Sequence, residues 1–315
     1  MDGLLTERHG DRGVPSQTRR TVRSEFSDGH AEEREGDHGE ERLARVQRAA
    51  GVTEHYEGAR GEERKVRVES AVGKWVRHYE GSPPFETLVR AELATGETEW
   101  YEGPKGWERT VRALVKRGTV QQWFIGDRGR EQLVRAKSET GVTTLYEGAK
   151  DQERLVRCVL LSGCTIHFSG DRGEERKVRA EEEDGPVWHY EGAAGNERLV
   201  WEFLPSGRRE HYEGERFEER LVRVELPDGG VEHHEGERGE ERLVRLRLRH
   251  AEVRHFEGGR GAERLVRVEL PRGPVLHFEG DRSVERLTRR ELRGGSVERY
   301  AGECGRERLV RREHP

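Results

Sequence analysis

Polarity along the chain repeats in a short pattern that Glu219–Arg220–Leu221–Val222–Arg223–Val224–Glu225–Leu226 states in full. Apolar and charged residues alternate through it, and again over Val231–Glu232–His233–His234–Glu235. Period-two runs rich in β-branched residues predict strands whose successive side chains point to opposite faces. Pro227–Asp228–Gly229–Gly230 separates the two runs and Gly214–Glu215–Arg216 separates their neighbours, both with turn chemistry. A helical reading fails, because glycine or proline interrupts nearly every stretch within about a dozen residues. Each pair of runs therefore predicts a β-hairpin, and hairpins in series predict an antiparallel meander.

The pattern recurs along nearly the whole chain. The glycine that closes each aromatic–Glu–Gly triplet, or its variant, is an anchor: Gly36, Gly58, Gly81, Gly103, Gly126, Gly148, Gly170, Gly192, Gly214, Gly236, Gly258, Gly280 and Gly302. Spacing is 22 residues, except 23 before Gly81 and before Gly126. Thirteen units in register are the signature of a repeat protein. A partial fourteenth precedes them, since Val22 to Gly29 superposes on Val222 to Gly229. Residues 1–21 are expected to be degenerate or poorly ordered, and 22–315 to form the array.

The expected fold class is all-β: tandem 22-residue hairpins in an elongated, single-layer, twisted antiparallel meander. The alternative is a seven-bladed β-propeller, to which fourteen hairpins would supply roughly four strands per blade. Inner and outer hairpins of a blade differ in environment and should alternate in sequence. His167, His189, His211, His233, His255 and His277 show no such alternation, which favours the open meander.

Pairing can be carried to the residue. With the short loop centred between Glu237 and Arg238, His234 should face Leu243, His233 should face Val244, Glu232 should face Arg245, and Glu235 should face Arg242. Across the turn between units, Val224 should face His233 and Arg223 should face His234. The aromatic residue that stands two before the anchor in most units, such as Tyr56, Tyr190 or Phe256, would then lie between the leucine of its own hairpin and the arginine of the preceding one.

Composition sharpens this picture. Leu, Ile, Val and Phe total 64 of 315 residues while charged residues reach 38%, so no thick core is available. The 58 basic and 63 acidic residues nearly cancel, which argues against disorder. Stability should instead accumulate from neighbour to neighbour. No run approaches the ~18 apolar residues of a membrane span, and the N-terminus is too poor in apolar residues for a signal peptide. Cys158, Cys164 and Cys304 fit no paired framework, which points to a reduced cytoplasmic setting.

Asp228–Gly229 followed by a triplet such as Tyr56–Glu57–Gly58, Tyr101–Glu102–Gly103, Tyr190–Glu191–Gly192 or Tyr212–Glu213–Gly214 resembles the MORN repeat. The resemblance covers the Tyr–Glu–Gly half of each unit; the other half carries Glu–Arg–Leu–Val–Arg in place of further glycines. It implies a hairpin array and, as a function class, peripheral association with anionic phospholipid surfaces.

Three columns of residues are candidates for chemistry. Glutamate stands five after every anchor, from Glu41 to Glu307; it reads as a loop cap accepting backbone N–H groups rather than as a cation ladder, because equivalent residues lie ~9.5 Å apart. The same spacing denies a metal site to the histidine column His55, His78, His167, His189, His211, His233, His255 and His277, since zinc needs three or four ligands at about 2 Å. Arginine nine after the anchor, from Arg45 to Arg311 with Trp201 the exception, could track a phosphate backbone. The neighbouring glutamates and the net charge of −5 argue against nucleic acid.

The pattern is most uneven over residues 75–124, and Trp75, Trp100, Trp107 and Trp123 are the candidate partner-binding residues. Trp100 and Trp123 stand in the histidine column, where they could compensate the small Ala91 and Ala113. Trp75 stands at a turn between units and Trp107 in a short loop, where Trp107 is the favoured contact. No Ser/His/Asp, Cys/His or phosphate-loop arrangement occurs, so no catalytic residue, cofactor or metal is expected. The expected function is a non-enzymatic scaffold for protein–protein interaction, with lipid association as the alternative; the partner and the oligomeric state are not legible.

Overall fold

The computed structural model describes residues 20–115 and 118–315. Apart from Arg20 and Thr21, the expectation for residues 1–21 lies outside the described residues. The chain is all-β: 27 strands, with no helix among the described residues. It falls into two units, residues 1–133 and 134–315. In the first, the strands from Arg20–Glu25 to Val120–Ile125 each pair with the next along the chain, always antiparallel. In the second, the same holds from Gln132–Ser138 to Arg308–Glu313. Strand follows strand without the breaks that would separate four-stranded blades, and among the described residues no pairing closes a ring. This is an open hairpin meander, and the propeller alternative is excluded.

Turn chemistry explains the hairpins. Between units, the Leu226 N–H donates to the Gly230 carbonyl and the Gly229 N–H to the Leu226 carbonyl, both at 2.9 Å. That three-residue loop needs a left-handed residue at its end, and Gly229 supplies it with φ +86°. Within a unit, the anchor is a glycine for a stronger reason. Gly214 has φ +128°, and a Cβ there would stand 2.5 Å from the Glu218 carbonyl oxygen.

The register confirms half of the expected pairing and corrects the rest. His234 faces Leu243 and Glu235 faces Arg242, as expected. His233, however, faces Arg245 rather than Val244, and Glu232 faces Leu246 rather than Arg245. Across the preceding turn Arg223 faces His233, and Val224 faces Glu232. Across the preceding turn the three-residue loop sets the pairing, with Glu225 opposite Val231. Within the hairpin the cause is a β-bulge, since the register shifts between His233 and His234 and Val244 has no opposite residue. A one-residue shift moves everything beyond it to the other face. The same irregularity recurs in other units, for example at His55/Tyr56 and His211/Tyr212.

Two faces result. One carries the residues two before and seven and ten after the anchor: the tyrosine or phenylalanine, the leucine, and a small or branched residue. The best-buried side chains are here, among them Val46, Val68, Ala91, Ala113, Ala180 and Val224. Most rings face the leucine of their own hairpin, as Tyr212 faces Leu221, while Tyr56 and Phe168 face Lys65 and Lys177 and Tyr101 faces Thr110. The expected arginine partner is not on this face. A cation covers the ring where lysine replaces leucine in the preceding unit: Lys65 Nζ lies 4.6 Å from the Tyr79 centroid and Lys177 Nζ 3.5 Å from that of Tyr190. The other face carries the histidine and arginine columns.

Candidate functional site

The loop glutamates are caps that also reach their neighbours. Glu63 accepts the Gly61 N–H of its own loop at 2.8 Å and the Leu43 N–H of the preceding unit at 3.1 Å. Glu175 does the same with Gly173 and Leu155, at 2.7 and 3.0 Å. Hydrogen bonds from backbone N–H groups hold the carboxyls of both below the usual range, against the opposing effect of burial, which is the largest influence on Glu63. A second link runs through the loops: the guanidinium of Arg216 donates to the Gly195 carbonyl, that of Arg238 to Phe217, and that of Arg282 to Gly261. These residues build the array.

On the other face, strand spacing of about 4.8 Å stacks planar groups. Arg45, His55, Arg67, His78, Arg90, Trp100, Arg112 and Trp123 follow one another from strand to strand. In the second unit the series Arg157, His167, Arg179, His189, Trp201, His211, Arg223, His233, Arg245 and His255 continues in the same manner. Rings and guanidinium groups alternate along both series except at His189, Trp201 and His211, where three rings follow one another; alternation is the arrangement that cation–π attraction favours. The Arg112 guanidinium carbon lies 4.4 Å from the Trp100 centroid and 6.0 Å from that of Trp123. His189 stacks on Trp201 with centroids 3.5 Å apart. The histidines therefore pack against arginine and tryptophan, not against the valine, alanine or leucine that the unbulged register implied.

Most of these histidines also meet a carboxylate. Nε2 of His55, His78, His167, His211, His255 and His277 lies 2.9–3.4 Å from the glutamate eleven after its anchor. The same glutamate takes an ion pair from the arginine two residues before it, as in Arg90–Glu92 and Arg223–Glu225, both at 2.8 Å. The bond from His167 is the largest influence lowering the Glu181 carboxyl below its usual range. Two imidazoles differ: burial, then Arg179, lowers His189, and burial, then Arg245, lowers His233. Among the described residues no group of three or more His, Cys, Asp or Glu is placed to hold a metal ion.

The four tryptophans do not form one cluster. Trp100 and Trp123 share the ladder face and sandwich Arg112. Ala91 faces Glu99 and Arg112 faces Trp123, so the small residues Ala91 and Ala113 lie on the opposite face and do not compensate the tryptophan volume. Trp75 opens the strand Trp75–Glu80, its ring folded over Gly73 and covered by Arg77 at 4.6 Å. Trp107 stands in its loop with 71% of its surface exposed. Its neighbour is a residue the sequence reading missed. Phe85, also 71% exposed, occupies the same place in the preceding loop, four after Gly81 as Trp107 is four after Gly103. Equal offset from the anchor was the available signal.

The fold and its recurring side-chain clusters define an open β-hairpin repeat array. No family model matches the chain, and no curated protein matches it. Solved structures with a likeness include the TcdB2–TccC3 complex, 9% identical over 94% of this chain and 25% of that one, with a TM-score of 0.16. The Tc holotoxin pore of Photorhabdus luminescens is 9% identical over 93% and 19%, with a TM-score of 0.17. The chain spans a quarter or less of the length of those chains.

Proposed function

We propose that this protein is a non-enzymatic repeat scaffold that binds other proteins, with the loop pair Phe85 and Trp107 as a contact point. The observation that carries this reading is the exposure of two large aromatic side chains in equivalent places of consecutive loops. Equivalent loops are two strand spacings apart, ~9.5 Å, so the rings present one apolar strip that a partner could cover. Buried aromatic anchors supply a large share of interface energy, and tryptophan is prominent among them. Neither ring packs into the sheet, so removing one leaves the fold intact.

A pull-down comparing the intact chain with Trp107→Ala and Phe85→Ala tests the reading. Each variant should lose a captured protein while its melting temperature stays unchanged. An identical set of captured proteins for all three would rule this contact out.

A further inference from the structure

One unit breaks the rule that the others obey. Wherever the residue three before the anchor is histidine and that nine after is arginine, the residue eleven after is glutamate, except once. In the Gly236 unit the histidine is His233, the arginine is Arg245, and the eleventh residue is Arg247. In the six units that obey, a carboxylate sits between imidazole and guanidinium. Here the chain provides a second cation in its place.

The surroundings leave that positive charge uncompensated. Arg220 pairs with Glu213, Arg223 with Glu225, Arg242 with Glu235, Arg264 with Glu257 and Arg267 with Glu269. Those are the other arginines of this face from Arg220 to Arg267. Among the described residues, Arg245 and Arg247 alone on that stretch of the face have no carboxylate, and both are exposed. They stand on the same side of one strand, about 6.6 Å apart along it.

We propose that Arg245 and Arg247, beside His233, dock the carboxylate side chains of an acidic segment of a partner protein. Carboxylate is the chemistry that the array itself selects for this niche: Glu225 one unit before, and Glu269 one unit after, fill the equivalent place from within the chain. Planar guanidinium groups donate two parallel hydrogen bonds to a carboxylate, and an extended peptide on the flat face offers alternate side chains at the matching spacing. This inference rests on the scaffold reading and gives the partner its chemical class.

The test measures binding of fluorescein-labelled poly-glutamate to the full chain at low salt, beside phosphatidylserine vesicles and inorganic phosphate. Wild type should bind the peptide, weaken as salt rises, and prefer it to the other two. Arg247→Glu rebuilds the ordinary triad, so it should keep the melting temperature while weakening peptide binding about tenfold or more. Arg247→Gln should fall between and stands in should the reversal disturb folding. Equal binding by wild type and both variants overturns the proposal, as does wild type that ignores the peptide. Preference for vesicles or phosphate also overturns it and makes a phosphate group the occupant. A failure here with Trp107-dependent capture intact sinks only this inference; failure of wild type to capture any protein sinks the scaffold reading itself.

Discussion

His189 and His233 are set apart from the other imidazoles of their column because the position eleven after the anchor is Phe203 or Arg247 in place of glutamate, and this gives them a measurable role. Burial and flanking arginines hold each below its ordinary value, so the folded state favours the neutral ring. Their contribution to stability is therefore present above the unfolded value, about 6.5, and lost as pH falls below it. Glu63, Glu175 and Glu181 are also lowered, so theirs is present above the unfolded carboxylate value, about 4.3, and lost as pH falls through the lower folded values. Melting temperature against pH should accordingly be flat from neutrality to about 9, decline gently below about 6.5, and fall steeply below about 4. The double variant His189→Gln and His233→Gln should abolish the gentle part only; a curve that keeps it would refute this assignment. At this scale the sequence revealed the histidine column and the exposed Trp107. It hid the environment of the column, because the bulge residue is a valine like any other strand valine. Nothing in Val222 or Val244 marks it as the residue without an opposite.

At the scale of the element, the hairpin is held by its own strand ladder and also reaches, through its loop, the hairpin before it. Replacing Glu63 by alanine leaves the Leu43 and Gly61 N–H groups without an acceptor. The expected cost is about 1–2 kcal/mol, read as a lower midpoint in urea denaturation with an unchanged slope. A neutral result would show that water replaces the carboxylate. The loop glutamates were legible as caps from their constant offset. Their second bond, into the preceding unit, was not, because it depends on how one loop overhangs the next strand. The aromatic–leucine pair was likewise legible, since Tyr212 and Leu221 lie before the bulge in the hairpin. The arginine lies beyond it, where the bulge turns Arg223 to the face opposite the ring.

At the scale of the whole molecule, nearest-neighbour bonds make stability local. The low content of large apolar residues already implied a structure without a thick core, and the strand order follows from the repeat alone. Which surfaces stay uncompensated does not follow, because that depends on the register of each face. Gly214→Ala places a side chain against the Glu218 carbonyl at a left-handed φ, an expected loss of about 1–3 kcal/mol. Hydrogen exchange should lose protection in the strands Arg209–Glu213 and Arg220–Glu225 and retain it at Arg286–Glu291. Uniform loss along the chain would mean that the array melts as one block.

The glutamate that reaches back one unit also gives the array a direction in time. Leu43 waits for Glu63, Leu155 for Glu175 and Leu199 for Glu219, each bond spanning 20 residues toward the C-terminus. On a ribosome, a hairpin that has already emerged is thus finished by residues still to be synthesised. The completed sheet trails the growing end by about one hairpin, and each new loop seals its predecessor as it appears.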